Sequence, residues 1–208
     1  MSLSAAAAAA RAVHVSESGS RSVLDRLHDQ GCAAAIWQRS LDPLLLSWLE
    51  ALPGSRLPRL RQTVYPSGAY AAVDAACERA GLHQGPGRER LCRDIANLAA
   101  VFSQLMAARQ IALRLDAVSD DACRRFHLDH VPARLLCTYR GQGTQYGIAG
   151  PDGQPRAVHQ MATGWVGLLR GHLWPGTEPC GLVHRSPPIG DSGEVRLLLV
   201  LDVAEGFV

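Results

Sequence analysis

A chain of 208 residues with 47% apolar content can bury a proper core, so the length fits one domain, or a small helical unit fused to a second. The formal net charge of +2 and the scatter of the arginines give no evident nucleic-acid footprint, and the absence of any lysine excludes a Schiff-base mechanism. No apolar run approaches the ~20 residues of a membrane span, and the six cysteines (Cys32, Cys77, Cys92, Cys123, Cys137, Cys180) lack zinc-ribbon spacing and read as buried, reduced thiols of a cytoplasmic protein.

Residues 1–12 are alanine-rich without the basic and strongly apolar regions of a secretory signal, and 16–22 is polar, so 1–22 is expected to be a flexible tail. Val23, Leu24 and Leu27 suggest a short helix stopped by Gly31, and 33–37 a short strand. In 41–52, Leu44, Leu45, Trp48, Leu49 and Leu52 recur at helical spacing, with Ser40 as the expected N-cap and Pro53-Gly54 as the stop. Two more helices are expected near 68–80 and 88–108, the second with Leu91, Ile95, Leu98, Val101, Phe102 and Leu105 on one face. Residues 23–108 are therefore expected to be a mainly helical region that packs on the C-terminal half.

The period changes after Gln110. Ile111, Leu113 and Leu115 alternate as in a half-buried strand, and 134–139, 165–170 and 195–202 read as further strands among glycine- and proline-rich turns. An α+β protein is expected, with a helical N-terminal half and a C-terminal half, 109–208, forming a β-barrel or sandwich.

The chemistry-bearing pattern lies in that second half. On a strand, residues two apart point to the same side, so His127 and Asp129 can supply two metal ligands together. His184, behind the apolar pair Leu182-Val183, offers a third. Two imidazoles and one carboxylate can occupy one face of an ion and leave the opposite positions open, which suits iron(II), manganese or zinc. Arg196 heads the apolar run 197–201, where its planar fork matches a carboxylate. Arg134 and Tyr139, on the strand 134–139, are the other cofactor-binding candidates, and Thr138, Thr144, Tyr146, Trp165 and Trp174 are candidate pocket residues. His130 would face away from the ligand pair, and His159 and His172 read as structural or solvated. There is no G-x-S-x-G elbow for a serine nucleophile, and the Gly141-Gln142-Gly143 turn lacks the lysine of a phosphate-binding loop.

At Phe126-His127-Leu128-Asp129, at Arg134-Leu135-Leu136-Cys137-Thr138-Tyr139-Arg140-Gly141-Gln142-Gly143-Thr144 and at His184-Arg185-Ser186-Pro187-Pro188, the chain resembles a bacterial family known as domain of unknown function 1826, from about Ala33 to near the C-terminus. That resemblance implies a link to zinc-responsive gene clusters. More loosely, the order H-x-D, distal histidine, arginine resembles the iron(II)/2-oxoglutarate dioxygenases. This implies a double-stranded β-helix (jelly-roll or cupin-like) for 109–208, with His127, Asp129 and His184 as catalytic metal ligands and Arg196 pairing with 2-oxoglutarate. Where that family often carries a serine two positions after its arginine, this chain has Leu198.

Three functions stand as expectations. The first is a non-haem oxygenase using Fe(II), with 2-oxoglutarate as co-substrate, acting on a small molecule or a protein, with no nucleic acid and no membrane as partner. The second is a zinc-binding protein of bacterial zinc homeostasis, serving storage, transfer or zinc-assisted hydrolysis, which Cys123 or Cys180 near the histidines would favour. The third is a non-catalytic interaction scaffold, for which His127, Asp129 and His184 would not converge.

Overall fold

A computed structural model describes residues 11–120, 124–190 and 192–204. The elements run β1 (His14–Ser18), a 3-10 helix Arg21–His28, β2 (Cys32–Trp37), α1 (Pro43–Ala51), β3 (Leu60–Val64), α2 (Ala69–Arg79) and α3 (Pro86–Leu105). Then come β4 (Ile111–Val118), β5 (Ala133–Arg140), β6 (Gln145–Ile148), β7 (His159–Gln160), β8 (Val166–Arg170), β9 (Leu182–Arg185) and β10 (Arg196–Val203). Among the described residues the strands form a seven-stranded sheet in the order β1-β2-β8-β5-β10-β4-β3 and a three-stranded sheet in the order β7-β6-β9. Within the large sheet only the β1–β2 pair is parallel, so that sheet is mixed and the class is α+β.

The first half is less helical than its pattern implies, because it also supplies β1, β2 and β3 to the large sheet. The tail expected through residue 22 is corrected as well: His14–Ser18 is an edge strand and Arg21–His28 a 3-10 helix that buries Val23, Leu24 and Leu27. Both misreadings have one cause. The edge strand β1 is held by backbone bonds to β2, and β3 buries only its terminal Leu60 and Val64, so neither needs the apolar alternation that marks a strand. Residues 1–10 of the expected tail lie outside the described residues.

Helix α1 starts two residues later than Ser40 would cap it. The Asp42 carboxylate accepts hydrogen bonds from the Leu44 and Leu45 amides at 2.8 and 3.4 Å, and Pro43 occupies the first turn, where its missing N–H costs nothing. Helix α3 turns Leu91, Ile95, Leu98 and Phe102 inward, all at most 2% exposed, each burial stabilising by roughly 1.5–3 kcal/mol. It crosses α1 closely at Gly87, where an added Cβ would lie 2.2 Å from the Trp48 ring.

Strand alternation then sorts the large sheet into two faces. Leu113 and Leu115 on β4, Leu135, Cys137 and Tyr139 on β5, and Leu197, Leu199 and Leu201 on β10 share one core with the helices. On the other face, Ile36, Leu136, Leu169 and Val200 pack with Tyr146 on β6 and Leu182 on β9. The result is three layers: helices, large sheet, small sheet. No helix among the described residues is long and apolar enough to cross a membrane.

Candidate metal centre

His127 and His184 face each other as a reciprocal backbone pair: the His127 amide donates to the His184 carbonyl at 3.1 Å and the His184 amide returns the bond at 3.0 Å. Residues paired in this way project their side chains to the same side, and the two imidazole centroids lie 4.6 Å apart. Asp129, two residues on, joins them. One ligand atom from each of His127, Asp129 and His184 lies within 4.8 Å of the others. The scaffold expectation, which required these side chains to stay apart, fails on this point.

The electrostatics suit a cation. Burial pushes the Asp129 carboxyl up, but hydrogen bonding to His127 and His184 and the charges of His184 and Arg134 outweigh it and hold the group well below the usual carboxylate range. Its Oδ2 is buried and faces Nε2 of His184 at 3.1 Å, with no other partner among the described residues. The His127 Nδ1 lies 2.9 Å from the Arg125 carbonyl, so the proton belongs on Nδ1 and Nε2 is left to coordinate. An ion held by both imidazoles would satisfy that Oδ2 as well, so the donor set fits iron(II), manganese or zinc. No cysteine among the described residues joins the three: Cys180 points its thiol at the Leu182 carbonyl, 3.9 Å away, and Cys123 lies outside the described residues.

Beside the triad opens a cavity of about 420 Å³ between the sheets, with Thr144, Leu136, Leu198 and Val200 among its walls. Arg196 does not line the cavity itself; it is fully buried on β10, on the strand face that presents the wall residues Leu198 and Val200. Its Nε donates to the Gln142 carbonyl at 2.5 Å and its Nη2 to the Thr138 hydroxyl at 3.4 Å, while Nη1 has no partner among the described residues. Burial lowers its pKa to about 10, partly offset by the charge of Glu194. Gln142 is presented by a left-handed turn at Gly141 (φ +79°), where a Cβ would meet the Glu194 carboxylate at 2.3 Å. The Gly141-Gln142-Gly143 segment is thus a cradle for Arg196, a role its sequence did not announce.

Two expected cofactor residues are corrected. Arg134 lines the cavity but is committed to carboxylates: Nε and Nη2 bind the two Asp202 oxygens at 2.7 Å each, and Nη1 binds Asp129. Tyr139 faces the helices, its hydroxyl donating to Asp94 at 2.5 Å, because odd-numbered positions of β5 point into the helical core. Of the candidate wall residues, Thr144 lines the cavity, whereas Tyr146 binds Glu17 and stacks on His159. Trp165 and Trp174 are half-buried and pack against the two cores, away from the cavity walls. His130 and His172 stack on each other outside the triad, at 5.5 Å between centroids.

The model of the family described as "protein of unknown function (DUF1826)" matches residues 18–202. The chain belongs to this family. Among curated proteins nothing matches the DUF1826 chain. Among solved structures it is similar to dioxygenase for auxin oxidation 1 from Arabidopsis thaliana, a 2-oxoglutarate binary complex, with a TM-score of 0.56 at 10% identity over 94% of this chain and 93% of that one. That likeness is one of fold. The rice dioxygenase for auxin oxidation (TM-score 0.47, 16% identity, 92% and 82% covered) and a Pseudomonas putida prolyl-4-hydroxylase (0.44, 15%, 89% and 98%) are also similar.

Proposed function

We propose that this DUF1826 protein is a non-haem oxygenase in which His127, Asp129 and His184 hold iron(II) and Arg196 binds the distal carboxylate of 2-oxoglutarate. The two packed sheets around the triad are, on this reading, a double-stranded β-helix, in keeping with the fold shared with the Arabidopsis dioxygenase. The observation that carries the proposal is the pairing of the convergent triad with a buried, incompletely satisfied arginine on the cavity face of β10. An uncompensated buried charge costs on the order of 3–5 kcal/mol. A fold that keeps one gains by offering it to an anion.

When bound, iron(II) supplies oxygen activation, coupled to oxidative decarboxylation of 2-oxoglutarate to succinate and carbon dioxide. The chain supplies the rest. Arg196 donates Nη1 to the co-substrate carboxylate, and Thr138 completes that subsite from the neighbouring strand, providing the hydroxyl that Leu198 does not. Arg134, fixed by Asp202, keeps the Asp129 carboxylate turned toward the histidines. The aliphatic walls Leu136, Leu198 and Val200 keep water from the reacting groups.

The test is anaerobic titration of the metal-free protein with iron(II), followed by measurement of 2-oxoglutarate-dependent oxygen consumption. Wild type should bind one iron and consume both reagents. His184→Ala should lose iron, and Arg196→Met should keep iron but lose 2-oxoglutarate. A wild-type protein that binds zinc and never consumes 2-oxoglutarate would overturn the proposal.

A further inference from the structure

The cavity beside the triad carries a surplus of positive charge of its own. Five arginines and two aspartates line it: Arg59, Arg61, Arg114, Arg134 and Arg185 against Asp116 and Asp120. Arg134 is occupied, and Arg185 is held by the Gln145 side chain at 2.8 Å and lies over the Phe126 ring. Arg59, Arg61 and Arg114 remain. Arg61 on β3 and Arg114 on β4 are register partners in an antiparallel pair, so two like charges sit directly opposite each other, an arrangement that destabilises a sheet.

The Arg61 side chain stands 73% exposed at the cavity mouth, Arg114 is more enclosed at 25%, and neither makes a close ion pair. Arg61 comes only within 3.9 Å of Asp116, and Arg114 within 3.6 Å of Asp202, whose oxygens are already bound by Arg134. Meanwhile Leu136, Leu198 and Val200 form an apolar wall of the same cavity.

We propose that the substrate is a small organic anion whose carboxylate or phosphate is gripped by Arg61 and Arg114, with Arg59 beside them, while its carbon body lies along Leu136, Leu198 and Val200. This assignment of substrate class rests on the oxygenase reading. Paired guanidiniums give a planar anion several charge-assisted bonds, whereas a neutral analogue leaves them unmet.

Calorimetry on the full-length, metal-free protein with 2-oxoglutarate present tests it directly. The probes are 3-phenylpropionate, its neutral amide and inorganic phosphate. Wild type should bind the acid or phosphate, with the amide at least about tenfold weaker, the equivalent of one charge-assisted hydrogen bond. Arg61→Gln/Arg114→Gln should lose that preference while keeping 2-oxoglutarate affinity, and Arg61→Lys/Arg114→Lys should recover part of it. Binding of acid without phosphate, or the reverse, supports the site and identifies the anion it prefers. Equal binding of acid and amide, or acid binding unchanged in the double glutamine variant, overturns the proposal. So does loss of 2-oxoglutarate affinity in that variant, since the pair would then belong to the co-substrate. Acid binding in a protein that takes neither iron nor 2-oxoglutarate would leave the anion site standing and remove only the oxygenase reading.

Discussion

Arg196 sets function against stability within one side chain. Its guanidinium is buried with one nitrogen unpaired among the described residues, and replacing buried charge by an apolar chain of similar volume is often neutral or stabilising by about 1–4 kcal/mol. Arg196→Met is therefore expected to raise the melting temperature by roughly 2–8 °C, for a gain of about 1–2 kcal/mol in a chain of this size, while abolishing the thermal shift produced by 2-oxoglutarate. Differential scanning fluorimetry with and without the co-substrate checks both. His127 gives a pH signature. Hydrogen bonding to Asp129 raises its pKa above 6.5, against the opposing effect of burial. Because the folded value lies above the unfolded one, the metal-free protein gains stability from this group below pH 6.5 and loses it as pH rises through the folded pKa. Metal must displace that proton, so iron affinity, measured by titration at a series of pH values, should fall as pH drops through the raised value. At this scale the sequence was most legible where chemistry dictates spacing, as in His127-x-Asp129 with a distal His184, which do converge. It was least legible for Tyr139, whose direction depends on which face of β5 the helices cover, and for Arg61 and Arg114, which become neighbours only through strand register.

Elements position the centre more tightly than individual contacts do. The two histidines come from segments far apart in the chain, yet their reciprocal backbone bonds fix the separation, and β9 is pinned on its other side by β6. Long apolar periodicities told where α1, α3, β4, β5 and β10 run. By contrast β1, β3, β6 and β7 are short or one-sided and left little trace in the hydrophobic pattern. Close approach of α1 to α3 depends on the missing side chain at Gly87. Gly87→Ala should lower unfolding free energy by about 1–3 kcal/mol through overpacking against Trp48, seen as an earlier denaturation midpoint with unchanged slope, and it should leave iron affinity intact because the contact lies on the helical side of the sheet.

At the scale of the molecule, the three ligands converge only in the folded state, so metal should act as a stabilising ligand. At a hundredfold excess over its dissociation constant, iron(II) is expected to stabilise the wild type by about 2.7 kcal/mol, and chelation to reverse it; His127→Ala/His184→Ala should show neither effect. β10 is the last described strand in chain order yet lies between β5 and β4, inside the sheet, and it carries both Arg196 and Asp202. During synthesis, then, the middle of the sheet stays open until residue 203 has cleared the ribosome. Nascent chains stalled before that point should be sensitive to protease and unable to bind 2-oxoglutarate, because the strand that carries Arg196 is not yet in place.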